Sequence, residues 1–447
     1  MIDSVLVANR GEIARRVIRT ARRLGIRTIA VFSEADADLP FVREADEAVA
    51  IGPAPAAQSY RNGEAILDAA RRTGAAAIHP GYGFLSENAD FARAVAAAGL
   101  VWVGPPAEAI EAMGDKINAR NLMASVGVPV APGTAEPVPD AEAAVAQASR
   151  IGYPVMVKAA AGGGGMGLGS ALDEHALRTE FAKVSAFAER SFGDAAVLLE
   201  RYFPSVRHIE VQILGLADGR VVALGDRECS VQRRNQKLVE ECPSPASMLT
   251  PQRRAALHAA AVRAGQAVGY RGAGTVECLL DPATGEFFFL EMNTRLQVEH
   301  PVTEAVFGID LVEQQLLVAS GLAPSFDPDG LAPSGHAIEL RVNAEDPRRF
   351  LPGPGAITTW VEPTGPGVRV DSGYAAGNTV TPHYDSLLAK VVVHGATRAE
   401  AMERAQAAVA AFTIAGPKNN LLFHAELLQR PEFLAGDYDT GIVARMR

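Results

Sequence analysis

Two glutamates in neighbouring strand-like segments have the spacing of a metal site. The segments are residues 275–280 and 286–292, and the turn-forming residues 281–285 (DPATG) between them predict a hairpin. In such a hairpin Glu277 lies roughly opposite Glu291, at a separation of about 4.5–5.5 Å. Two carboxylates at this distance repel each other, and a divalent cation between them removes the repulsion. Oxygen ligands favour magnesium or manganese, which in turn bind phosphates.

Asn293 is a third candidate ligand of the same cation. It follows Glu291 by two residues, so both side chains lie on one face of the strand, whereas Met292 points the other way. The alternative is a surface hairpin with two solvated glutamates. The polar residues that follow along the chain favour the metal site.

Those polar residues are Arg295, Gln297 and Glu299, again at a spacing of two. A straight strand from Glu291 to Glu299 would span roughly 26 Å, which is too long for one small-molecule site. We therefore expect the chain to bend after Asn293 and to present a guanidinium, an amide and a carboxylate together. The guanidinium suits a planar anion, and the carboxylate suits a general base.

A glycine-rich run predicts a phosphate-binding loop. Lys158 ends a strand and leads into residues 159–169 (AAAGGGGMGLG), whose bare backbone N–H groups can approach phosphate and whose freedom suits a lid. The run formally contains G-x-G-x-x-G but lacks the Walker lysine–serine ending. The alternative is a flexible linker. Lys116 is a second candidate phosphate contact, or else an ordinary lysine at the start of a helix.

A polar run at residues 226–241 (DRECSVQRRNQKLVEE) separates two strand-rich stretches. We interpret it as a solvated loop. The alternative is an anion pocket built from Gln232, Arg233, Arg234 and Lys237. His208 alternates with apolar residues along a strand, which favours a partly buried strand residue over a catalytic base.

The elements that position these residues fall into three regions. Over the first hundred residues strands and helices alternate, which predicts an open parallel sheet covered by helices. Asn9-Arg10-Gly11-Glu12 follows the first strand in place of G-x-G-x-x-G, so a nicotinamide or flavin site is not favoured. Residues 128–140, rich in proline and glycine, predict a boundary. Strands at 335–343, 355–361, 368–371 and 387–394 predict a mostly antiparallel terminal region, and 401–412 its final helix.

Composition excludes several classes of protein. The 447 residues are 48% hydrophobic and 21% charged, which is typical of a folded globular chain. A net charge of −10 gives no electrostatic reason to bind nucleic acid or an anionic membrane. Three distant cysteines fit neither a disulfide framework nor a zinc site, and no apolar run approaches a membrane span. The first residues do not read as a signal peptide, so we expect a cytoplasmic protein.

Six segments in this order resemble the ATP-grasp family, and within it the biotin carboxylase component of acetyl-CoA or acyl-CoA carboxylases. The resemblance covers essentially the whole chain. The segments are 8–14 (ANRGEIA), 79–88 (HPGYGFLSEN), 113–116 (MGDK), the glycine run 159–169, 291–301 (EMNTRLQVEHP) and 339–346 (ELRVNAED).

The resemblance implies a role for each candidate residue. ATP would be held by Lys116, Lys158, Gly163, Gly164, Gly165, Glu200, His208 and Gln232. Metal ions, magnesium or manganese and two in number, would bind Glu277 and Glu291 with Asn293 close by. Bicarbonate would bind Lys237, Arg295, Gln297 and the Val298 backbone. Glu299 would deprotonate it, and Arg341 would stabilise the enolate of biotin.

The implied fold is mixed α/β and α+β. A Rossmann-like parallel sheet would occupy residues 1–113, an ATP-grasp domain 114–330 with a glycine-rich lid at about 131–203, and a mostly antiparallel biotin carboxylase C-terminal domain 331–447. The implied reaction takes ATP, bicarbonate and biotin on its carrier protein to ADP, phosphate and N-carboxybiotin, by way of carboxyphosphate. The chain lacks the Met-Lys-Met biotinylation motif, so biotin would arrive on a biotin carboxyl carrier protein or on another domain. A carboxyltransferase subunit and a homodimer are also implied.

Four positions depart from the family pattern. They are Met166 and Gly169, where many relatives have basic residues, Arg201, where lysine is common, and Asn235, where histidine is common. We expect an active enzyme with an altered nucleotide affinity. The alternatives are another ATP-grasp ligase that activates a different carboxylate, and a scaffold subunit without catalysis.

Overall fold

The N-terminal unit is a parallel sheet whose strands alternate with helices. The computed structural model of the chain describes residues 1–160 and 167–446. Strand order in this sheet is β3-β2-β1-β4-β5, and each neighbouring pair is parallel. Its elements are β1 (Ser4–Val7), α1 (Gly11–Arg23), β2 (Arg27–Phe32), α2 (Pro40–Glu44), β3 (Glu47–Ala50), α3 (Gly63–Thr73), β4 (Ala77–His79), α4 (Ala89–Ala97), β5 (Val101–Trp102) and α5 (Ala107–Gly114).

Both faces of this sheet are covered, as its sequence predicts. Val5 and Val7 of β1 pack into one hydrophobic cluster, while Leu6 between them packs into another on the opposite face. The predicted alternation of strands and helices is confirmed, although α2 and β3 were not foreseen. Beyond β1, Asn9 donates to the carbonyls of Pro80 and Tyr82 and so ties the β1–α1 connection to the loop after β4.

The second unit is a three-stranded antiparallel sheet of order β7-β6-β8. Its elements are α6 (Lys116–Ser125), α7 (Ala141–Ile151), β6 (Val155–Ala159), β7 (Leu168–Ala171), α8 (Glu174–Phe192) and β8 (Val197–Arg201). The N–H of Ala159 donates to Gly167 at 2.8 Å and brings the two ends of the glycine run together. The predicted phosphate contacts Gly163, Gly164 and Gly165, and the departure at Met166, lie outside the described residues.

The third unit is an eight-stranded sheet of order β13-β12-β9-β10-β11-β14-β19-β17. Pairing of β11 with β14 joins the ATP-grasp strands to those of the C-terminal region, across the proposed division at residue 330. The eight strands are β9 (Arg207–Gly215), β10 (Val221–Arg233), β11 (Gln236–Cys242), β12 (Gly272–Leu280), β13 (Phe287–Asn293), β14 (His336–Asn343), β17 (Val368–Ser372) and β19 (Leu387–Gly395). Two separate two-stranded sheets contain β15 (Gly355–Ala356), β16 (Thr359–Val361), β18 (Thr379–Val380) and β20 (Thr413–Ala415). The helices are α9 (Pro251–Ala267), α10 (His300–Phe307), α11 (Leu311–Ala319), α12 (Arg398–Ala411), α13 (Leu421–Leu427), α14 (Pro431–Ala435) and α15 (Ile442–Arg445).

The interpretation of residues 226–241 as a solvated loop is wrong. These residues form most of β10 and β11, which pair antiparallel through a tight turn. Arg234 and Asn235 both have positive φ, 50° and 66°, as a two-residue type I′ connection requires. Asparagine adopts this backbone more readily than most residues, which explains why Asn235 is accepted there. The charged side chains on either side of the turn, from Asp226 to Glu228 and from Lys237 to Glu241, are buried, whereas Arg234 and Asn235 at the turn are exposed.

Two predictions for the C-terminal region are also wrong. The predicted strand 355–361 is two short strands, since β15 pairs with β18 and β16 pairs with β20 in separate sheets. The predicted final helix is α12, but three more helices of four to seven residues follow it. Helices this short carry too little periodicity to be recognised in a sequence. Within the residues described, no helix combines the length and the apolar character needed to cross a bilayer.

Glu241 of β11 anchors the end of the chain. Its buried carboxylate accepts hydrogen bonds from His336 at 2.7 Å, from Arg398 at 2.7 and 2.9 Å, and from Tyr438 at 2.6 Å. Burial alone would raise the pKa of Glu241, but His336 and Arg398 hold that pKa down to about 2. The carboxylate therefore stabilises the fold in its ionised form.

We expect Glu241→Gln to lower the free energy of unfolding at pH 7 by about 3 kcal/mol, the equivalent of the pKa depression. A depressed folded-state pKa stabilises the fold above the ordinary value of 4.5 and loses this effect as the pH falls toward 2. Urea titrations of wild type and variant should therefore differ most at neutral pH and converge below pH 4.5. Glu403→Gln, an exposed position on α12, serves as the control. A difference in the free energy of unfolding between wild type and Glu241→Gln that stays constant from neutral pH down to pH 2 would contradict the assignment of Glu241 as a stabilising, ionised carboxylate.

Candidate active site

The predicted carboxylate hairpin is present, and a β-bulge sets its register. Near the turn Leu280 pairs with Phe287 and Cys278 with Phe289. Beyond a shift in the ladder, Glu277 pairs with Glu291 and Thr275 with Asn293. Leu290 is the extra residue of this bulge. Without the bulge, the regular ladder would place Glu277 opposite Leu290 instead of the second carboxylate. Strand β13 ends at Asn293, as the predicted bend requires.

The two hairpin carboxylates have different surroundings. Glu277 Oε1 accepts from Lys237, Asn293 and Gln297 at 2.8–3.0 Å, and its Oε2 lies 2.9 Å from His208 Nε2. The carboxylate of Glu291 makes no hydrogen bond or ion pair with any described residue and opens into the cavity described below. Loss of solvation within the cleft raises the pKa of Glu291, and the charge of Glu277 raises it further.

Lys237 is the centre of the buried charge cluster. Its ammonium lies 2.6 Å from Glu210, 2.8 Å from Glu277 and 2.7 Å from Glu299. Burial alone would lower the pKa of Lys237, but the three carboxylates hold it well above its ordinary value. Below the cluster, Arg227 pairs with the other oxygen of Glu210 at 2.5 Å. Lys237 is therefore a fixed cation at the base of the cavity.

Glu299 is held between two cations. Its Oε1 accepts from Lys237, and its Oε2 accepts from the Arg341 guanidinium at 2.9 Å. Burial would raise the pKa of Glu299, but Lys237, Arg341 and Arg227 hold it well below its ordinary value. Arg341 is fixed from its other side by Glu240, which accepts from Nε at 2.6 Å. The side chain of Glu299 is therefore ionised at neutral pH.

Arg295 orients the two amides of the loop. It donates to Gln297 Oε1 and to Asn293 Oδ1, each at 2.8 Å, and its Nε pairs with Glu87 at 2.9 Å. Because the amide oxygens face Arg295, both amide nitrogens are left to donate to Glu277. In this arrangement Asn293 does not offer its oxygen toward Glu277, so its predicted role as a third metal ligand stays a prediction.

A cavity of about 1040 Å³ extends from these groups to Ala159, Ala160 and Leu168, which belong to the two described ends of the glycine-rich run. On the far side, Lys158 of β6 pairs with Glu200 of β8, and Lys116 is the first residue of α6. Apolar side chains of this half include Met156, Leu198, Leu279 and Phe289. Among the described residues, the cavity is lined by every predicted site residue except Glu299. The predicted site residues that line the cavity are Lys116, Lys158, Glu200, His208, Gln232, Lys237, Glu277, Glu291, Asn293, Arg295, Gln297, Val298 and Arg341.

Sequence reasoning missed the residues that hold the predicted ones in place. They are Glu87, Glu210, Arg227 and Glu240. Glu87 lies inside the segment 79–88 that carries part of the resemblance, so that motif held the signal. Glu210, Arg227 and Glu240 alternate along buried strands, and only knowledge of the strand pairing tells that they face one another.

The hairpin residues fit a divalent cation. Among the described residues the carboxylate of Glu291 has no partner, and Glu291 pairs across the hairpin with Glu277. Hard oxygen donors are the ligands that magnesium prefers. Two other groups place ligand atoms within 4.8 Å of one another, namely His208 with Glu210 and Glu277, and Glu210 with Cys229 and Glu299. In these the ammonium of Lys237 already neutralises the carboxylates, so Glu291 is the better indicator of a metal position.

Three family models match consecutive parts of the chain. They are "Biotin carboxylase, N-terminal domain" over residues 1–110, "Carbamoyl-phosphate synthase L chain, ATP binding domain" over 115–324, and "Biotin carboxylase C-terminal domain" over 339–445. Biotin carboxylase of Haemophilus influenzae is 48% identical over 98% of this chain and 97% of its own length.

Solved structures agree with these matches. The biotin carboxylase–beta-gamma-ATP complex from Campylobacter jejuni is 44% identical, with a TM-score of 0.95 over 100% of this chain and 99% of its own. The biotin carboxylase domain dimer of Hydrogenobacter thermophilus 2-oxoglutarate carboxylase, with MgADP, ADP and bicarbonate, is 42% identical, with a TM-score of 0.93 over 100% of this chain and 98% of its own. The chain therefore belongs to the biotin carboxylase family of ATP-grasp enzymes and carboxylates biotin at the expense of ATP.

Proposed function

We propose that the cavity phosphorylates bicarbonate with ATP and passes the resulting carboxyl group to biotin on a biotin carboxyl carrier protein. The observation that carries this proposal is the position of Glu299, which is ionised and buried between Lys237 and Arg341, two cations that line the same cavity as Lys116 and Lys158. An ionised carboxylate beside two fixed cations suits removal of a proton from a small bound anion.

Bicarbonate is a poor electrophile, and phosphorylation makes its carbon reactive. The O–H proton of bicarbonate passes to Glu299, and the freed oxygen bonds to the γ-phosphorus of ATP. The bond from that phosphorus to the β–γ bridging oxygen breaks and releases ADP, leaving carboxyphosphate. Lys237, Arg295, Gln297 and the Val298 backbone hold the bicarbonate during this step. Positioning and charge neutralisation supply most of the rate of such a transfer.

Biotin then takes the carboxyl group. The new C–N bond to the ureido nitrogen forms as the bond from the carboxyl carbon to the phosphate oxygen breaks, and the displaced proton leaves with phosphate. Arg341 stabilises the negative charge of the biotin enolate, since its guanidinium lines the cavity and is fixed by Glu240 and Glu299. Arg341 retains its charge throughout, because Glu240 and Glu299 raise its pKa further, against the effect of burial.

ATP occupies the half of the cavity lined by Lys116, Lys158, Glu200, His208 and Gln232. The glycines Gly163, Gly164 and Gly165 contact its phosphates through their backbone. Glu277 and Glu291 hold the metal ions, two in number, as magnesium or manganese. When bound, these ions clamp the phosphates of ATP and offset their charge.

The carrier, the carboxyltransferase and a second copy of this chain are the proposed partners. A homodimer is supported by the dimeric relative from Hydrogenobacter thermophilus. We assign this chain to the first half-reaction of an acetyl-CoA or acyl-CoA carboxylase, whose final acceptor is selected by the carboxyltransferase.

The departures from the family pattern do not favour a scaffold. Gly169 pairs with Val157 on the face of β7 away from the cavity, and a Cβ there would meet the Glu180 carboxylate at 2.2 Å. A basic side chain at this position would therefore meet Glu180 before any nucleotide. Arg201 keeps a cation at the cavity wall. The arginine-to-glutamate segment 295–299 and Arg341 likewise favour biotin over other acceptors of ATP-grasp ligases.

The purified chain should release ADP from ATP in the presence of magnesium only when both bicarbonate and free biotin are supplied. We expect the rate to saturate in each of the three substrates. Turnover that is indifferent to biotin would favour an ATP-grasp ligase with another acceptor, and tight ATP binding without any turnover would favour a scaffold.

A further inference from the structure

The backbone that carries Glu299 is fixed from behind by a buried lysine. Lys390 of β19 is fully buried, and its ammonium donates to the carbonyl oxygen of Val298 at 2.8 Å. That carbonyl and the N–H of Glu299 belong to one peptide plane, so the contact fixes the orientation of the backbone at Glu299. Lys390 is also the cross-strand partner of Arg341, and both side chains rise from one face of the sheet.

A second contact holds the preceding peptide. His300 Nδ1 lies 2.7 Å from the carbonyl of Gln297. Burial, with Lys390 and Arg16 nearby, holds the pKa of His300 well below its ordinary value. The neutral ring has one proton, and since a carbonyl only accepts, that proton is on Nδ1. The bicarbonate loop is defined here as residues 297–299. The carbonyls of Gln297 and Val298 in this loop are therefore both held from the side away from the cavity.

Lys390 is itself held by Glu12 in the first turn of α1. The ammonium lies 3.1 Å from Glu12 Oε2, and the other oxygen of this buried carboxylate accepts from the hydroxyl of Tyr82. Tyr82 lines the cavity. A continuous chain of contacts thus runs from the cavity wall through the N-terminal unit and β19 to the bicarbonate loop.

Other charges surround Lys390. Asp371 of β17 is its cross-strand partner on the other side, and Glu339 and Arg341 of β14 share its face. Asp371 is already paired with Arg369 at 2.5 Å, and neither oxygen of Glu339 has a hydrogen-bond partner. The direct partners of the Lys390 ammonium are thus Glu12 and the Val298 carbonyl.

We propose that Lys390, with Glu12 as its counter-ion, is a positioning residue that sets the bicarbonate loop for catalysis. This inference rests on the proposed function, because it assigns bicarbonate to the loop. Lys390 does not line the cavity, so it acts through the backbone of Val298 and Glu299 and not on a substrate. Its loss should therefore affect bicarbonate use specifically and leave the nucleotide half of the cavity unchanged.

The test is steady-state kinetics of Lys390→Met with each substrate varied in turn. We expect the KM for bicarbonate to rise and kcat to fall, each by about tenfold, as displacement of a reacting group by a fraction of an ångström predicts. The KM for ATP should stay within about twofold of wild type. Glu12→Gln keeps an acceptor for Tyr82 and removes only the counter-charge, so it should shift the same two parameters by less.

Arg398→Met is the matched control, since it also removes a cation beside a buried glutamate, but its contacts are with Glu241 and with the carbonyls of Phe433 and Leu434. It should lower thermal stability and leave all KM values unchanged. If Lys390→Met does not fold, the double variant Lys390→Met/Glu12→Gln removes both charges and is measured in the same way. An unchanged bicarbonate KM in the folded variant overturns the inference. Absence of bicarbonate-dependent turnover in the wild type would instead overturn the proposed function.

Discussion

Glu299→Gln should lower biotin-dependent turnover by roughly 10²-fold or more while ATP and magnesium still bind. The amide keeps the size of the side chain, and its single oxygen can still accept from one of the two cations, but it cannot take a proton. In the ligand-free site those cations hold the pKa of Glu299 well below its ordinary value, against the effect of burial.

The measurement is ADP release at saturating substrates, together with calorimetric binding of MgATP. Glu304→Gln is a suitable control, because Glu304 is a buried glutamate of α10 that pairs with Arg16 and Arg369 and does not line the cavity. Wild-type turnover in Glu299→Gln would refute the assignment of the base. Loss of nucleotide binding in that variant would show a structural role instead.

Lys237→Met should abolish most activity and also destabilise the fold. The variant leaves Glu210, Glu277 and Glu299 without the cation that lies within 2.8 Å of each. Breaking a buried ion pair costs about 3–5 kcal/mol. Loss of one fixed charge at the reacting anion lowers kcat by about 10²–10³-fold. Both effects are measured on the same preparation, by urea titration and by ADP release.

The double variant Lys237→Met/Glu210→Gln separates the two effects. Removing one carboxylate restores the balance of charge in the cluster, so part of the lost stability should return. Turnover should stay low because the cation is still missing. Recovery of turnover with stability would mean that Lys237 serves the fold and not the reaction.

The hairpin and the opposition of Glu277 to Glu291 were predictable, but the bulge that produces this register was not. The turn residues 281–285 and the flanking apolar strands identify the hairpin, yet a regular ladder continued from the pair of Cys278 and Phe289 would place Leu290 opposite Glu277. The bulge at Leu290 follows from packing of β13, which a local pattern does not contain. The bend after Asn293 was predictable, because distance alone forbids a straight strand from Glu291 to Glu299.

The charges below the cavity could not be foreseen for a related reason. A run such as residues 226–241 looks like a solvated loop because its charges are counted without their partners. In the structure Arg227 pairs with Glu210, and Lys237 pairs with three carboxylates. These partners belong to other segments of the sequence. The parallel sheet at the N-terminus was recovered closely, since its strands and helices alternate and each shows its own period. The short strands β15, β16, β18 and β20 carry no such signal.

The pairing of β11 with β14 has a consequence for dissecting the molecule. The family model for the ATP-binding region ends at residue 324, before β14, and the model for the C-terminal region begins at residue 339, within β14. A fragment cut there would present the bare edge of β11 to other chains, an arrangement that promotes aggregation. The cut would also leave Glu240, which lies on this edge strand, without its ion-pair partner Arg341. We expect the two regions to unfold in one transition and to be insoluble when expressed separately. The two regions that sequence comparison distinguishes therefore form one structural unit.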